Sequence, residues 1–463
     1  MTTEELITTQ FYDWEMRGRG WQVWDCPVDL EPPFRVFPGY YIPAADDGRR
    51  PTALSSWVER LHGRQQSPEP SGEWPSLPES VGREEPALYF DESPLTEIQV
   101  SQPTNMKLSG ELAARFLSSL RISSYPISFE IVGLADSILI QFACREKDRS
   151  LLRSNLRAYF PDSKFRETSD FLACNWPQSV DEGDCPVVVD FGLSHEFVIP
   201  LQSQGGFSID SLIGIVGSLS DVKIGEAAVL QVLFHGTQYD WANSAILATT
   251  DMAGNSVLAN IPKMAECLRR KLSQPLFASV FRVGAKSASR ERSWELAKRI
   301  GSALVSIFEG SGGADTNELI PLSNDGYDED LHEEDLLLRH THRSGMILNA
   351  AELVPLVHVP SPSVRSDKFG TERATKCAPP GLRSEDEKTA SVTLGDNLHE
   401  GETRRVFLSD KLRSMHVHVI GTTGSGKSTL LLNLIKQDME LGSGLCVIDP
   451  HGDLIEDVIS NVP

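Results

Sequence analysis

Hydrophobic and polar positions change period repeatedly between residues 97 and 310, and each change marks an element. Glu111 to Leu120 carries its apolar side chains on one helical face, whereas Ile127–Val132 and Ile138–Ala143 are short runs rich in β-branched and aromatic residues. The first predicts a helix and the other two predict strands. Helical spacing returns over Asp148–Tyr159. Beyond it come a strand over Val187–Phe191, a helix over Ile209–Leu219, a strand over Ala227–Phe234, a helix over Val257–Leu272, a strand over Leu276–Val283 and a helix over Arg292–Phe308. Alternation at this spacing predicts an α+β region. SYPISFEIVGL and SQPLFASVFRV read as equivalent strands of two half-domains, so a weak internal duplication is expected.

A different pattern closes the chain. Val417, Val419 and Ile420 form a β-branched run without helical period, followed by GTTGSGKS and then by a helix whose Leu430, Leu431, Leu434 and Ile435 mark a buried face. That helix stops near Gly442 and Gly444, and Leu445–Ile448 is a second apolar run ending in Asp449. The expectation is two parallel strands joined by a crossover helix. GTTGSGKS fits GxxxxGK[ST] at every position, which is a Walker A loop. The residues concerned are Gly421, Thr422, Thr423, Gly424, Ser425, Gly426, Lys427, Ser428 and Thr429. Glycines let the backbone approach a polyphosphate, and the N–H groups that open the helix lend it partial positive charge. Lys427 is suited to the outer phosphates and Ser428 to Mg²⁺, so the expected ligand is ATP with magnesium. A chance match in a glycine-rich turn is the alternative, and the strand–loop–helix setting argues against it. In DPHGD, Pro450 and Gly452 suit a turn, with Asp453 as a candidate cap for a helix starting at Leu454.

IGTTGSGKST, its helix and the following CVIDPHGDLIEDVI together resemble the HerA/FtsK superfamily, and within it the ATPases related to type IV secretion and conjugative DNA transfer. The resemblance implies a RecA-like P-loop sheet and a homo-hexameric ring that threads DNA through its pore, with protein export in some branches. It implies Lys427 and Asp449 as catalytic residues, with Asp449 and Asp453 near the γ-phosphate and the water shell of Mg²⁺. Asp449 does not match the group's Walker B acid, because it ends the strand directly after the first helix. That acid, the catalytic glutamate, the pore loops and the arginine finger lie further along than Pro463. The chain is therefore expected to be the N-terminal part of a motor that hydrolyses little ATP alone. More faintly, MILNAAELVPLVHVPSP is similar to the domains that precede the motor in type IV secretion-related ATPases, which dock other components.

Six segments follow. Residues 1–62 are an arm dense in aromatics, Phe11, Trp14, Trp21, Trp24, Phe34, Phe37, Tyr40 and Tyr41, interleaved with Arg17, Arg19 and Arg35. Stacking on single-stranded nucleic acid is one reading. Packing across another domain or subunit is favoured, because prolines cut the run into short extended pieces. Residues 63–96 are a disordered linker rich in proline, serine and glutamate. Residues 97–310 are the α+β region, read as two ferredoxin-like units. Residues 311–345 read as an exposed acidic loop, in which Asp325, Asp328 and Asp330 lack EF-hand spacing and are expected to be solvated. Residues 346–400 hold a short helix capped by Asn349 and Glu352, ended by Pro360 and Pro362, and then a linker. Residues 401–463 open the P-loop domain, after a hairpin within LGDNLHEGETRRVFLSDKLRS.

The formal charge is −22, from 65 acids and 43 bases. Such a surface repels DNA at long range and argues against a non-specific grip by the whole body, though not against a grip by a few pore loops. Seven cysteines without a CxxC pair suit reduced thiols. His340 and His342 are two apart and would share a strand face, but no carboxylate or cysteine stands near at ligand spacing, so a solvated loop is expected. Asp190, Ser194 and His195 read as a strand-to-turn edge and not as a triad. No window approaches about eighteen uninterrupted apolar residues and the N-terminus lacks a signal-like core, so a cytoplasmic protein without a membrane span is expected. The leading function is an ATP-driven DNA translocase. A nucleotide-binding assembly or switch protein without hydrolysis and a protein-export ATPase are the alternatives.

Overall fold

The computed structural model describes residues 16–34, 86–89, 91, 93–102, 109–161, 163–177, 186–202, 210–248, 262–308, 316–324, 326–369, 378–379, 382, 390–399, 402–422, 424–450 and 452–462. The linker expected at 63–96 lies largely outside them, as do Phe11, Trp14, Arg35, Phe37, Tyr40, Tyr41 and Thr423.

The predicted strands form, with four further ones, a single antiparallel sheet. Its strands are β1 (Leu95–Val100), β2 (Ile127–Gly133), β3 (Ile138–Arg145), β4 (Phe165–Thr168), β5 (Val187–Leu193), β6 (Ala227–Gly236), β7 (Leu276–Lys286), β8 (Leu319–Pro321) and β9 (Met346–Asn349). The order is β4-β1-β3-β2-β6-β7-β5-β8, and β9 pairs with β7 beside β5. The helices are α1 (Gly110–Leu120), α2 (Arg149–Tyr159), α3 (Phe171–Asn175), α4 (Leu212–Leu219), α5 (Trp241–Ala248), α6 (Pro262–Leu272), α7 (Arg290–Phe308), α8 (Glu329–Leu338) and α9 (Ala350–Leu353). The succession β-α-β-β-α-β occurs twice, as β1-α1-β2-β3-α2-β4 and as β5-α4-β6-β7-α7-β8 with α5 and α6 inserted. The two halves meet where β2 pairs with β6. In this succession β2 corresponds to β6 and β3 to β7. The expected equivalence of SYPISFEIVGL, on β2, with SQPLFASVFRV, on β7, is therefore corrected. The two segments look alike because both flank β6 at the buried centre of the sheet.

Alternation along the strands builds two different faces. Ile98, Phe129, Ile131, Ile140, Phe142, Leu230, Phe281 and Val283 belong to one large apolar core with helices α1, α2, α4 and α7. The opposite face carries a polar row in exact register. Gln141 pairs with Glu130, Glu130 with Gln231, Gln231 with Arg282, and Arg282 with Asp190. All five are fully buried. Burial of polar groups is tolerated when they are hydrogen-bonded, and each of these side chains makes such bonds, although Gln141 Oε1 has no partner among the described residues. Gln141 Nε2 donates to Glu130 (2.7 Å), Gln231 Nε2 to Glu130 (3.0 Å) and Arg282 Nε to Asp190 (2.9 Å).

The cover over this row is α8 and the turn after it, which corrects the reading of 311–345 as an exposed loop. Asp328 caps α8 by accepting from Asp330 N, while His332, Asp335 and Leu336 are buried. Arg339, in a left-handed conformation at φ 57°, bends the chain back so that its guanidinium reaches Glu130 (2.9 Å) and Glu97. Burial alone would raise the Glu130 carboxyl, but the charge and hydrogen bonds of Arg339 outweigh it and hold the group below the usual carboxylate range.

The described part of the N-terminal arm packs on this same domain. Trp21 donates its indole N–H to Leu193 O (2.9 Å), Trp24 to Ser344 Oγ (2.8 Å), and Arg19 Nε reaches Leu193 O (3.2 Å). Glu31 accepts from the Trp241 indole (2.7 Å) and from the backbone N–H groups of Gln238 and Tyr239 just ahead of α5. Ahead of α9, Asn349 and Glu352 close the expected capping box, and Glu352 also pairs with buried Lys271 (2.6 Å).

Residues 390–462 hold the expected hairpin, β10 (Ala390–His399) with β11 (Glu402–Ser409), then α10 (Asp410–Arg413), α11 (Lys427–Glu440) and α12 (Asp453–Ser460). The parallel sheet expected here is not seen. Residues 416–420 and 445–449 have no ladder partner among the described residues, and Ile420 and Ile448 are 83% and 88% exposed. A strand requires a neighbour to take its backbone groups, and an apolar run does not specify one.

Candidate nucleotide-binding site

Lys427 is the first residue of α11, and the loop before it turns on two glycines in the left-handed region, Gly424 (φ 80°) and Gly426 (φ 85°). A side chain at either position would meet nothing within 4 Å, so the backbone conformation and not crowding is what calls for glycine. Gly421 differs: a Cβ there would fall 2.5 Å from Ser425 Oγ. The loop closes on itself through Ser425 N to Thr422 O (3.3 Å) and Leu430 N to Gly426 O (2.9 Å).

The Lys427 ammonium folds back over this loop and donates to Gly421 O (2.8 Å) and Thr422 O (2.7 Å). It thus sits at the rim of a cradle of backbone groups, with Ser428 and Thr429 following on the exposed first turn of the helix. N–H groups at a helix start have no partner within the helix, which makes this end suited to an anion.

Contacts that sequence reasoning missed position α11. Gln437 binds the backbone of Thr393 on β10 in both directions, accepting from its N–H (2.7 Å) and donating to its carbonyl (3.0 Å). Arg413 grips Asp438 with both arms of its guanidinium, one at 2.7 Å. Asp438 is buried, whereas Leu430, Leu434 and Ile435, expected as the buried face, are half-buried and Leu431 is exposed. A residue that pairs across elements leaves no periodic signal in the sequence.

Asp449 Oδ2 accepts from Leu454 N (2.9 Å), so this carboxylate supports the first turn of α12. Asp453 was the expected cap, but Gly452 occupies that position at φ 85° and Asp453 is already helical. Asp190, Ser194 and His195 form no relay. Asp190 is held by Arg282 and Arg343, while Ser194 Oγ and His195 N–H both donate to Asn317 Oδ1.

The family described as "Helicase HerA, central domain" matches residues 392–456. The match starts in β10 and runs through the loop and α11 into α12, so it takes in the whole of this site. A search of curated proteins finds no match to the chain. The segment is thus similar to a P-loop ATPase of HerA type, which points to a motor ATPase-like function. Proteins of that family generally use ATP and Mg²⁺ and are typically oligomeric. Among the described residues no helix is long and apolar enough to cross a membrane.

Proposed function

We propose that the chain is the nucleotide-binding portion of a HerA/FtsK-like motor ATPase that translocates DNA, of the group related to type IV secretion or conjugation. The observation that carries the reading is the cradle itself: two glycines at positive φ, and a lysine on the first helical position resting on the loop's own carbonyls, inside the segment similar to the HerA central domain. The cradle fits a triphosphate. Backbone N–H groups of residues 424–429 would hold the phosphates, Lys427 would leave Gly421 O and Thr422 O for the outer phosphates, and the Ser428 hydroxyl would meet magnesium. ATP with Mg²⁺ supplies the cleavable phosphoanhydride and the charge that offsets it.

Lys427 and Asp449 are the residues assigned to catalysis. Lys427 would neutralise charge that builds on the phosphates, and Asp449, whose Oδ2 accepts from Leu454 N–H, would orient water at the γ-phosphate. The doubled β-α-β-β-α-β region reads as two ferredoxin-like units that serve as an adaptor on a hexameric ring and dock secretion or conjugation components in the cytoplasm. A charge of −22 favours confining any grip on DNA to a few pore-facing loops.

The test is ATP turnover of the full-length protein and of Lys427→Ala, with and without duplex DNA. Losing a charge-assisted contact of about 1.5–3 kcal/mol weakens nucleotide binding by roughly 10- to 100-fold, and turnover falls to background. Turnover unchanged in Lys427→Ala refutes the site. Binding without turnover in the wild type selects a switch or assembly role, and turnover indifferent to DNA selects protein export.

A further inference from the structure

We propose that Asp335, His340 and His342 form a binding site for one divalent transition-metal ion of the zinc type. The three ligand atoms lie within 4.8 Å of one another. Asp335 is in the last turn of α8 and its side chain is fully buried. The left-handed Arg339 turns the chain so that His340 and His342 come back over it, which replaces the solvated loop expected for this histidine pair.

Asp335 Oδ2 accepts from the Tyr327 hydroxyl and from His342 N–H (2.9 Å), which fixes the plane of the group. Oδ1 faces the Nδ1 atoms of His340 at 2.5 Å and His342 at 3.1 Å, and His342 Nδ1 also lies 3.0 Å from Oδ2, so two imidazoles converge on one carboxylate. The nearby guanidiniums of Arg282 and Arg343 form their ion pairs with Asp190, and the ion-pair partners of Asp335 among the described residues are these two imidazoles. Outer donors that hold a carboxylate while two imidazole nitrogens close on it are the arrangement a two-histidine, one-carboxylate centre requires.

The distances decide how far the groups must move. A tetrahedral ion with bonds of about 2.0–2.2 Å to N and O separates its ligand atoms by about 3.4 Å. His342 is within a few tenths of an ångström of that spacing. His340 must withdraw by about 0.9 Å, and its side chain, 13% exposed on the turn, has solvent on one side. The ion takes the place of the Nδ1 protons, so each imidazole binds as the Nε2–H tautomer and protons displaced from Nδ1 leave to solvent. The fourth ligand is water, reaching the ion past His340. Because the ligands join α8 to the turn after it, occupancy clamps the cover of the buried polar row.

The full-length protein, stripped with a chelator and free of nucleotide, is titrated with Co²⁺ and then with Zn²⁺. The wild type takes up one Co²⁺ with the visible absorption of a four-coordinate site, Zn²⁺ displaces it, and the unfolding temperature rises with Zn²⁺. His340→Ala weakens uptake by at least about tenfold, with its far-UV circular dichroism unchanged. His340→Cys restores uptake and adds a thiolate-to-cobalt charge-transfer band, which carries the test if the alanine variant does not fold. No saturable uptake by the wild type, or uptake equal in His340→Ala and lacking the new band in His340→Cys, overturns the proposal and leaves a hydrogen-bonded clasp.

Discussion

Replacing Arg339 with methionine isolates what holds the polar row together. The guanidinium bridges Glu97 and Glu130, whose side chains are both 0% exposed, and also donates to Leu337 O (2.6 Å). Arg339→Met keeps much of the volume and removes the charge, leaving Glu130 with only the amides of Gln141 and Gln231 and the Ser128 hydroxyl. Breaking a buried pair from one side costs about 3–5 kcal/mol. With a urea slope of about 1–3 kcal/mol/M the midpoint should fall by roughly 2 M at about pH 7.5. The pH dependence provides the sharper check. In the wild type the folded-state pKa of Glu130 is depressed, so its contribution is present above the unfolded value and is lost only as pH falls through the folded value. In the variant the remaining amide and hydroxyl donors oppose burial only in part and that pKa rises, so proton uptake should return part of the lost stability at about pH 5.5. Urea unfolding followed by tryptophan fluorescence at both pH values measures this. A loss below about 1 kcal/mol, or an equal loss at both pH values, would show that the row does not depend on its charges.

Three further outcomes follow from other contacts. Glu352→Ala strips Lys271 of its partner and Leu201 N and Asn349 N of their acceptor, and should cost about 3–5 kcal/mol, a fall on the order of 10 °C in thermal unfolding. The double variant Lys271→Met/Glu352→Ala should recover part of that loss, since no buried charge is then left alone. Gly345→Ala places a methyl 2.8 Å from both Leu30 O and Ser279 N, which are backbone atoms that cannot step aside. It should cost about 1–3 kcal/mol and open residues 16–34 to limited proteolysis.

Much of the sheet was legible because strand periodicity is local: Ile127–Val132, Ile138–Ala143, Ala227–Phe234 and Leu276–Val283 all lie within strands. The conformation of the GTTGSGKS loop was legible for the same reason, since the glycines at positive φ and the lysine that opens α11 lie within eight consecutive residues. Strand order was not, because nothing in SYPISFEIVGL states that its neighbour is β6. Helix α8 was missed because its seat is the polar row. Its inner face therefore carries His332 and Asp335 beside Leu336, and a search for apolar spacing passes over it. The same blindness hid the carboxylate beside His340 and His342. It stands five and seven residues upstream, across a left-handed bend that charge patterning does not announce.

The seat of the N-terminal arm bears on how the molecule is made. Trp24 binds Ser344, and Arg19 bridges to Met346, so partners more than 300 positions apart must meet. During synthesis from the N-terminus, the arm emerges long before its seat exists. Closing so large a loop is slow and entropically costly. The aromatic segment therefore waits without its groove until strand β9 has left the ribosome, and seating it is among the last events of assembly.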